Sequence, residues 1–291
     1  SVLWTCVRQD DKLGPQAALD TVLAQRQLVS GLLDEAPNAV KDRLLSLYAN
    51  LSRVAGWLAF DLNNFDAAAH YYETGRNAAH EAQNAALSAS ILCQMSHLAT
   101  WRRQPRTAID YAVAAQVWAD QTDDYRLQAY ARACAARGFS LDGNESATHT
   151  AIEEARSRLG GISGDQPTLA HFFNTGQLAG TESECLLRLK QPKKAEVIAE
   201  RAFATIDEAF VRNLAMVSAR IAMCRLMATQ PEVTGAAEAL STAAQLASHN
   251  RSARLAQQLH SGWKYLSRWS DLPEVRDTKA HLVASGVLPA E

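Results

Sequence analysis

Apolar positions along the chain recur with a helical period. From Leu51 to Asp61 they fall three and four apart around one small residue, Gly56. The spacing predicts a helix there, a polar turn at Asn63 and Asn64, and a second helix whose inner face carries Phe65, Ala68, Tyr72 and Gly75. The same order returns with Ser96, a turn at Arg103 to Pro105, and Ala108, Ala112 and Ala115. It returns again with Ala136 and Phe139, a turn at Asp142 to Asn144, and Thr148, Ile152 and Ala155. Gly56, Ser96 and Ala136 stand 40 residues apart, as do Gly75, Ala115 and Ala155. A fixed period of this length marks stacked helix pairs. The small residues have a steric cause, because a bulky side chain at a helix crossing would hold the two axes apart.

The breaker cluster at 160–167 interrupts the beat, and the next pair follows 47 rather than 40 residues on, with a turn at Lys190 to Pro192. A looser fifth unit turns at Gln230 and Pro231. The expected organisation is all-α: a tetratricopeptide-like α-α superhelix of about five helix pairs with capping helices. A linker and capping helix occupy 1–40, and the repeat array spans 41–249. Its units lie at about 44–80, 84–120, 125–159, 168–208 and 213–248, and capping helices fill 250–291. Trp263, Tyr265 and Trp269 are expected to seal the end of the stack, the alternative being a homodimer contact.

Composition narrows the picture. Alanine is the commonest residue and only 7% of the chain is aromatic, which favours packed helices over sheet. Lysine plus arginine (29) nearly balances aspartate plus glutamate (31), so the charge footprint of a nucleic-acid binder is missing. Five scattered cysteines without a C-x-x-C pair argue against a disulfide framework or zinc ribbon and point to a reducing cytoplasm. Apolar runs fall short of the roughly 20 residues that span a bilayer, so no membrane partner is expected. The start, Ser1 to Trp4, has neither an initiator methionine nor a signal pattern and reads as a fragment or a processed product.

First-helix residues that face neither their paired helix nor the next unit should line the inner curve. The register gives Asn50, Arg53, Trp57, Phe60 and Asp61, then Ser90, Cys93, His97 and Trp101, then Tyr130, Arg137 and Leu141, then Gln177, Glu184 and Arg188. Such a groove suits an extended peptide or an amphipathic small molecule. Arg53 and Arg137 would grip a carboxylate, and Trp57 and Trp101 would supply apolar walls, unless those tryptophans pack between units. Cys93 and His97 share a face four residues apart, but two ligands without a third do not make a metal site. No catalytic triad order, zinc-protease motif or phosphate loop occurs, so neither an enzyme nor a cofactor is expected.

The run from Leu51 to Glu73 resembles the first tetratricopeptide unit in the C-terminal regions of actinobacterial lambda-repressor-like (Xre-type) helix-turn-helix transcriptional regulators. Leu13 to Pro15 with Val22 to Val29, and Asn250 to Arg254 with Trp269 to Arg276, are similar to segments flanking the array there. The resemblance implies a sensing and dimerisation module that binds a peptide, small molecule or protein partner, with DNA contact made by a preceding domain. The residues from Ser1 on carry no helix-turn-helix pattern, so either this is a piece of a longer chain or this member acts without that domain, and Thr148 stands where alanine is usual. The alternative is a stand-alone scaffold for protein-protein interaction.

Overall fold

The computed structural model describes residues 5, 6, 10, 14–162, 168–248, 250 and 252–289. Expectations that fall on 1–4, Leu13, 163–167, His249 and Arg251 lie outside them. Thirteen α-helices follow one another with no strand among the described residues. They are α1 (Gln16–Leu33), α2 (Asn38–Asp61), α3 (Phe65–Glu81), α4 (Ala85–Trp101), α5 (Pro105–Ala119), α6 (Tyr125–Leu141) and α7 (Glu145–Gly160). There follow α8 (Thr175–Arg188), α9 (Pro192–Thr205), α10 (Val211–Met227), α11 (Val233–Ala247), α12 (Ala253–Leu266) and α13 (Pro273–Ala284).

Local chemistry explains where each helix stops and the next begins. Asn63, Gln83, Arg103 and Lys190 adopt positive φ, as does Gly143, each just past a helix end. The amide after each returns to the preceding turn: Asn64 to Ala59 at 2.9 Å, Gln104 to Ala99 at 2.9 Å and Asn144 to Phe139 at 2.9 Å. These bonds satisfy carbonyls that the helix end leaves without a partner. The same residues then start the next helix. The side chains of Asn64, Asn84, Asp124 and Asn144 accept from backbone amides three positions on, while Pro105 and Pro192 open their helices at the first turn. One short segment thus caps two helices in the α2/α3, α4/α5, α6/α7 and α8/α9 pairs.

Within pairs the small residues set the approach. A Cβ on Gly56 would lie 2.4 Å from the Tyr72 ring, and one on Gly75 would lie 3.0 Å from Ser52 Cβ and 3.1 Å from the Ala49 carbonyl. In the next pair Ser96 is fully buried and its hydroxyl donates to the Ala108 carbonyl at 2.8 Å, a helix-to-helix bond that needs the same closeness. Ala136, Ala115 and Ala155 are also fully buried.

The even-numbered helices α2, α4, α6, α8, α10 and α12 form an inner row, each packed on the next, and the odd-numbered helices α3 to α11 form the outer row. The helix α1 docks on α2, where Arg26 donates to Ser52, Tyr48 and Thr74 and lies 4.6 Å from the Tyr48 ring. At the far end α13 packs on α11, and α12 occupies the sixth place in the inner row. The stretch expected to cap the stack therefore also lines its concave face. Trp263 and Trp269 pack on the terminal core, whereas Tyr265 points outward at 44% exposure. The inner row also returns on itself, because α12 packs against α2. Six inner helices enclose a space instead of fronting an open groove.

Candidate functional site

The enclosed space is a cavity partly open to solvent, and every inner-row helix contributes to its wall. Apolar matter comes from Trp57, Trp101, Tyr130 and Met216, and from Leu169, Phe172 and Phe173 of the connection after α7. Phe172 and Phe173 reach Tyr130 with ring centres 5.1 and 5.2 Å away. That connection reads as a simple break in the sequence. In the structure it supplies part of the wall.

Where the first and last inner helices meet, four charged side chains are buried together. Asp61, at the end of α2, has no exposed surface; one oxygen accepts from Arg254 Nε at 2.8 Å and the other from Arg212 Nη1 at 2.6 Å. Both oxygens of Asp10 accept from Arg212, each at 3.1 Å. The Arg254 guanidinium lies 4.5 Å from the Phe60 ring centre, 4.9 Å from Trp57 and 5.5 Å from Trp101, a cage that favours a cation. Burial alone would push both aspartates up. The two guanidinium groups hold Asp61 below the usual carboxylate range, but burial prevails at Asp10, which is raised.

A second charged group stands on α8. Burial opposes ionisation of Glu184, but Arg188, Arg137 and Arg220 around it hold its carboxyl well below the ordinary range. Arg137 Nε donates to it at 3.1 Å and Arg188 Nη2 at 2.5 Å, while Arg137 Nη2 donates to Thr181 at 2.7 Å.

Arg53 differs from all of these. Its Nε donates to Asn50 Oδ1 at 3.0 Å, and the Gln94 amide, oxygen toward the guanidinium, accepts from Nη1 at 3.2 Å. No carboxylate pairs with it among the described residues. Burial lowers its pKa to about 10, which still leaves it charged at neutral pH. Other polar atoms near the cavity are buried without a hydrogen-bond partner: His97 Nδ1, Arg137 Nη1 and Gln177 Nε2. Burial drives His97 well below the usual histidine value and His171 down to about 4, so both rings are neutral at pH 7.

Of the residues placed on the inner curve by sequence, Arg53, Trp57, His97, Trp101, Tyr130, Arg137, Gln177 and Glu184 line the cavity. The others do not. Asn50 sits beside Arg53 and orients it, and Arg188 sits behind Glu184. Phe60 is fully buried beneath Arg254. Cys93 turns into the α4/α6 contact, where its carbonyl accepts the Cys134 thiol at 3.6 Å. For Phe60 the reason is closure, which brings α12 over it, whereas Cys93 is covered by the next inner helix of the stack. Closure also hides what sequence reasoning misses, since Arg212 and Arg254 lie 151 and 193 positions from Asp61. No cluster of metal-ligating residues occurs among the described residues. No described helix is long and apolar enough to cross a membrane.

A solved structure shares this architecture. The crystal structure of a Rap protein complexed with Competence and Sporulation Factor matches over 98% of this chain and 86% of that one, with a TM-score of 0.56 and 13% sequence identity. What the two share is the fold. No protein-family model and no curated protein matches the chain.

Proposed function

We propose that this chain is a binding and sensing module whose ring-closed groove takes a short anionic peptide or a small carboxylate-bearing molecule. The observation that carries this reading is Arg53, a guanidinium on the groove wall held by two amides and faced by no carboxylate among the described residues. A buried charge without a counter-charge is costly, and a ligand carboxylate would relieve that cost through two parallel hydrogen bonds. The wider charge distribution supports the same polarity. Arg53, Arg137, Arg212, Arg220 and Arg254 face the cavity, against Asp10 and Glu184 on the wall and Asp61 behind it. Neutral histidines leave guanidinium in excess.

The Rap protein of similar fold is complexed with Competence and Sporulation Factor, which supports a binding role for this architecture. The resemblance of Leu51 to Glu73 to helix-turn-helix regulators supports a further assignment: a sensing and dimerisation module of a transcriptional regulator. DNA contact would then belong to a domain outside this chain, and the exposed Tyr265 would be covered in a homodimer.

The test is a thermal-shift screen of short linear peptides, each with a free and an amidated C-terminus, against wild type and an Arg53→Ala/Trp101→Ala variant. Free-acid peptides should stabilise the wild type and lose most of that effect on amidation and in the variant, with helix content by circular dichroism unchanged. Hits that act equally on both proteins, or equally as amides, would remove the groove as the site.

A further inference from the structure

Among the described residues, the cavity wall is built from inner-row helices and their connections, with Asp10 as the exception. This residue lies ahead of α1, yet its carboxylate reaches Arg212, 202 positions later, and its carbonyl accepts from Asn250 Nδ2 at 3.0 Å. The two Asp10 oxygens meet Nη1 and Nη2 of Arg212 at equal distances of 3.1 Å. That is the fork geometry in which a guanidinium receives a free carboxylate. Arg212 already has a counter-charge from the wall itself, since Asp61 accepts from the same Nη1 at 2.6 Å. Among the described residues, the fork thus holds a carboxylate that belongs to the ring closure and another that enters from outside the array.

The two carboxylates are not held alike. Asp61 accepts from two arginines at 2.6 and 2.8 Å, whereas both bonds to Asp10 come from one arginine and are longer, 3.1 Å each, and burial raises the Asp10 pKa. Asp10 is therefore the weaker-held partner and the one open to replacement.

We propose that Arg212 forms a carboxylate slot in the groove, that Asp10 fills it as an internal occupant, and that a ligand carboxylate seats there by displacing Asp10. The proposal rests on the groove reading above and sharpens the ligand class. Arg53 and Asp61 lie eight residues apart on α2, about 12 Å along its axis. An extended chain covers that span in about four residues. The ligand that fits both Arg53 and Arg212 is an extended acidic peptide with two carboxylates.

Chemical rescue tests the slot with a known probe. The full chain as wild type, Asp10→Ala and Asp10→Asn is melted in sodium acetate and in sodium chloride of equal ionic strength. The alanine variant opens a space beside Arg212 that acetate fits, whereas the asparagine variant keeps it filled. Asp10→Ala should melt lower than wild type in chloride and recover about half of the loss or more in acetate. Wild type and Asp10→Asn should gain nothing from acetate beyond chloride. If Asp10→Ala is unfolded in chloride, acetate should restore its helical circular dichroism signal. An acetate effect no larger on Asp10→Ala than on wild type, or no folding in either salt, overturns the slot. That result leaves the peptide screen on Arg53 and Trp101 as it stands; conversely, acetate rescue with a failed screen sinks the wider groove reading alone.

Discussion

Single residues carry the electrostatics of the groove, and they make its stability depend on pH. His97 and His171 are held neutral by burial, His171 at about 4, whereas an unfolded histidine titrates near 6.5. Between those values the unfolded chain binds more protons than the folded one, so stability falls as pH drops from about 6.5 toward 4. Thermal melts at pH 7, 5.5 and 4.5 should show that decline, and a His97→Gln/His171→Gln variant should flatten it; an unchanged slope would contradict the burial of these rings. Asp61 makes the sharper prediction. Asp61→Asn takes from Arg254 its buried counter-charge among the described residues and from Arg212 one of two, and the expected loss is about 3–5 kcal/mol by denaturant unfolding. Arg53, His97 and Trp101 are legible as inner-curve residues because their register follows from the repeat. The partners of Asp61 are not legible, because nothing local marks a contact across 151 or 193 positions.

At the scale of the element, fold and sequence correspond most closely where geometry is set by sterics inside one helix pair. The columns of Gly, Ala and Ser sit at the crossings because any larger side chain meets the facing helix, as the 2.4 Å approach of a Gly56 Cβ to Tyr72 makes plain. Ala108→Leu should therefore overpack the α4/α5 crossing, where the Ala108 carbonyl accepts the Ser96 hydroxyl, and cost about 1–3 kcal/mol by denaturant unfolding. An unchanged midpoint would contradict this packing. Gly143 tests the turns in the same way: at φ +79° with nothing within 4 Å of its Cβ, it is constrained by backbone conformation alone. Gly143→Ala should lose about 1–2 kcal/mol, and a neutral result would mean the turn relaxes. The connection between α7 and α8 is where element-level reading falls short. A cluster of glycines signals a break in the beat, but not that Leu169, Phe172 and Phe173 beyond it fold back onto the cavity wall.

For the whole molecule, the decisive property is that the inner row meets itself. Periodicity predicts a superhelix but not how far it winds, because that depends on small rotations summed over every pair. Here six inner helices bring α12 against α2, and the Asp61, Arg212 and Arg254 cluster joins the two ends around the cavity. Closure turns a surface that would front solvent into a partly enclosed site, where guanidinium charge acts in a less polar medium and binds an anion more strongly. A ligand should occupy that site. The most direct measurement is amide hydrogen exchange on the wild-type chain with and without the strongest free-acid peptide from the thermal-shift screen. Slower exchange concentrated in the inner-row helices α2, α4, α6 and α8 is the predicted result; protection confined to the outer helices α3, α5 and α7 would contradict it.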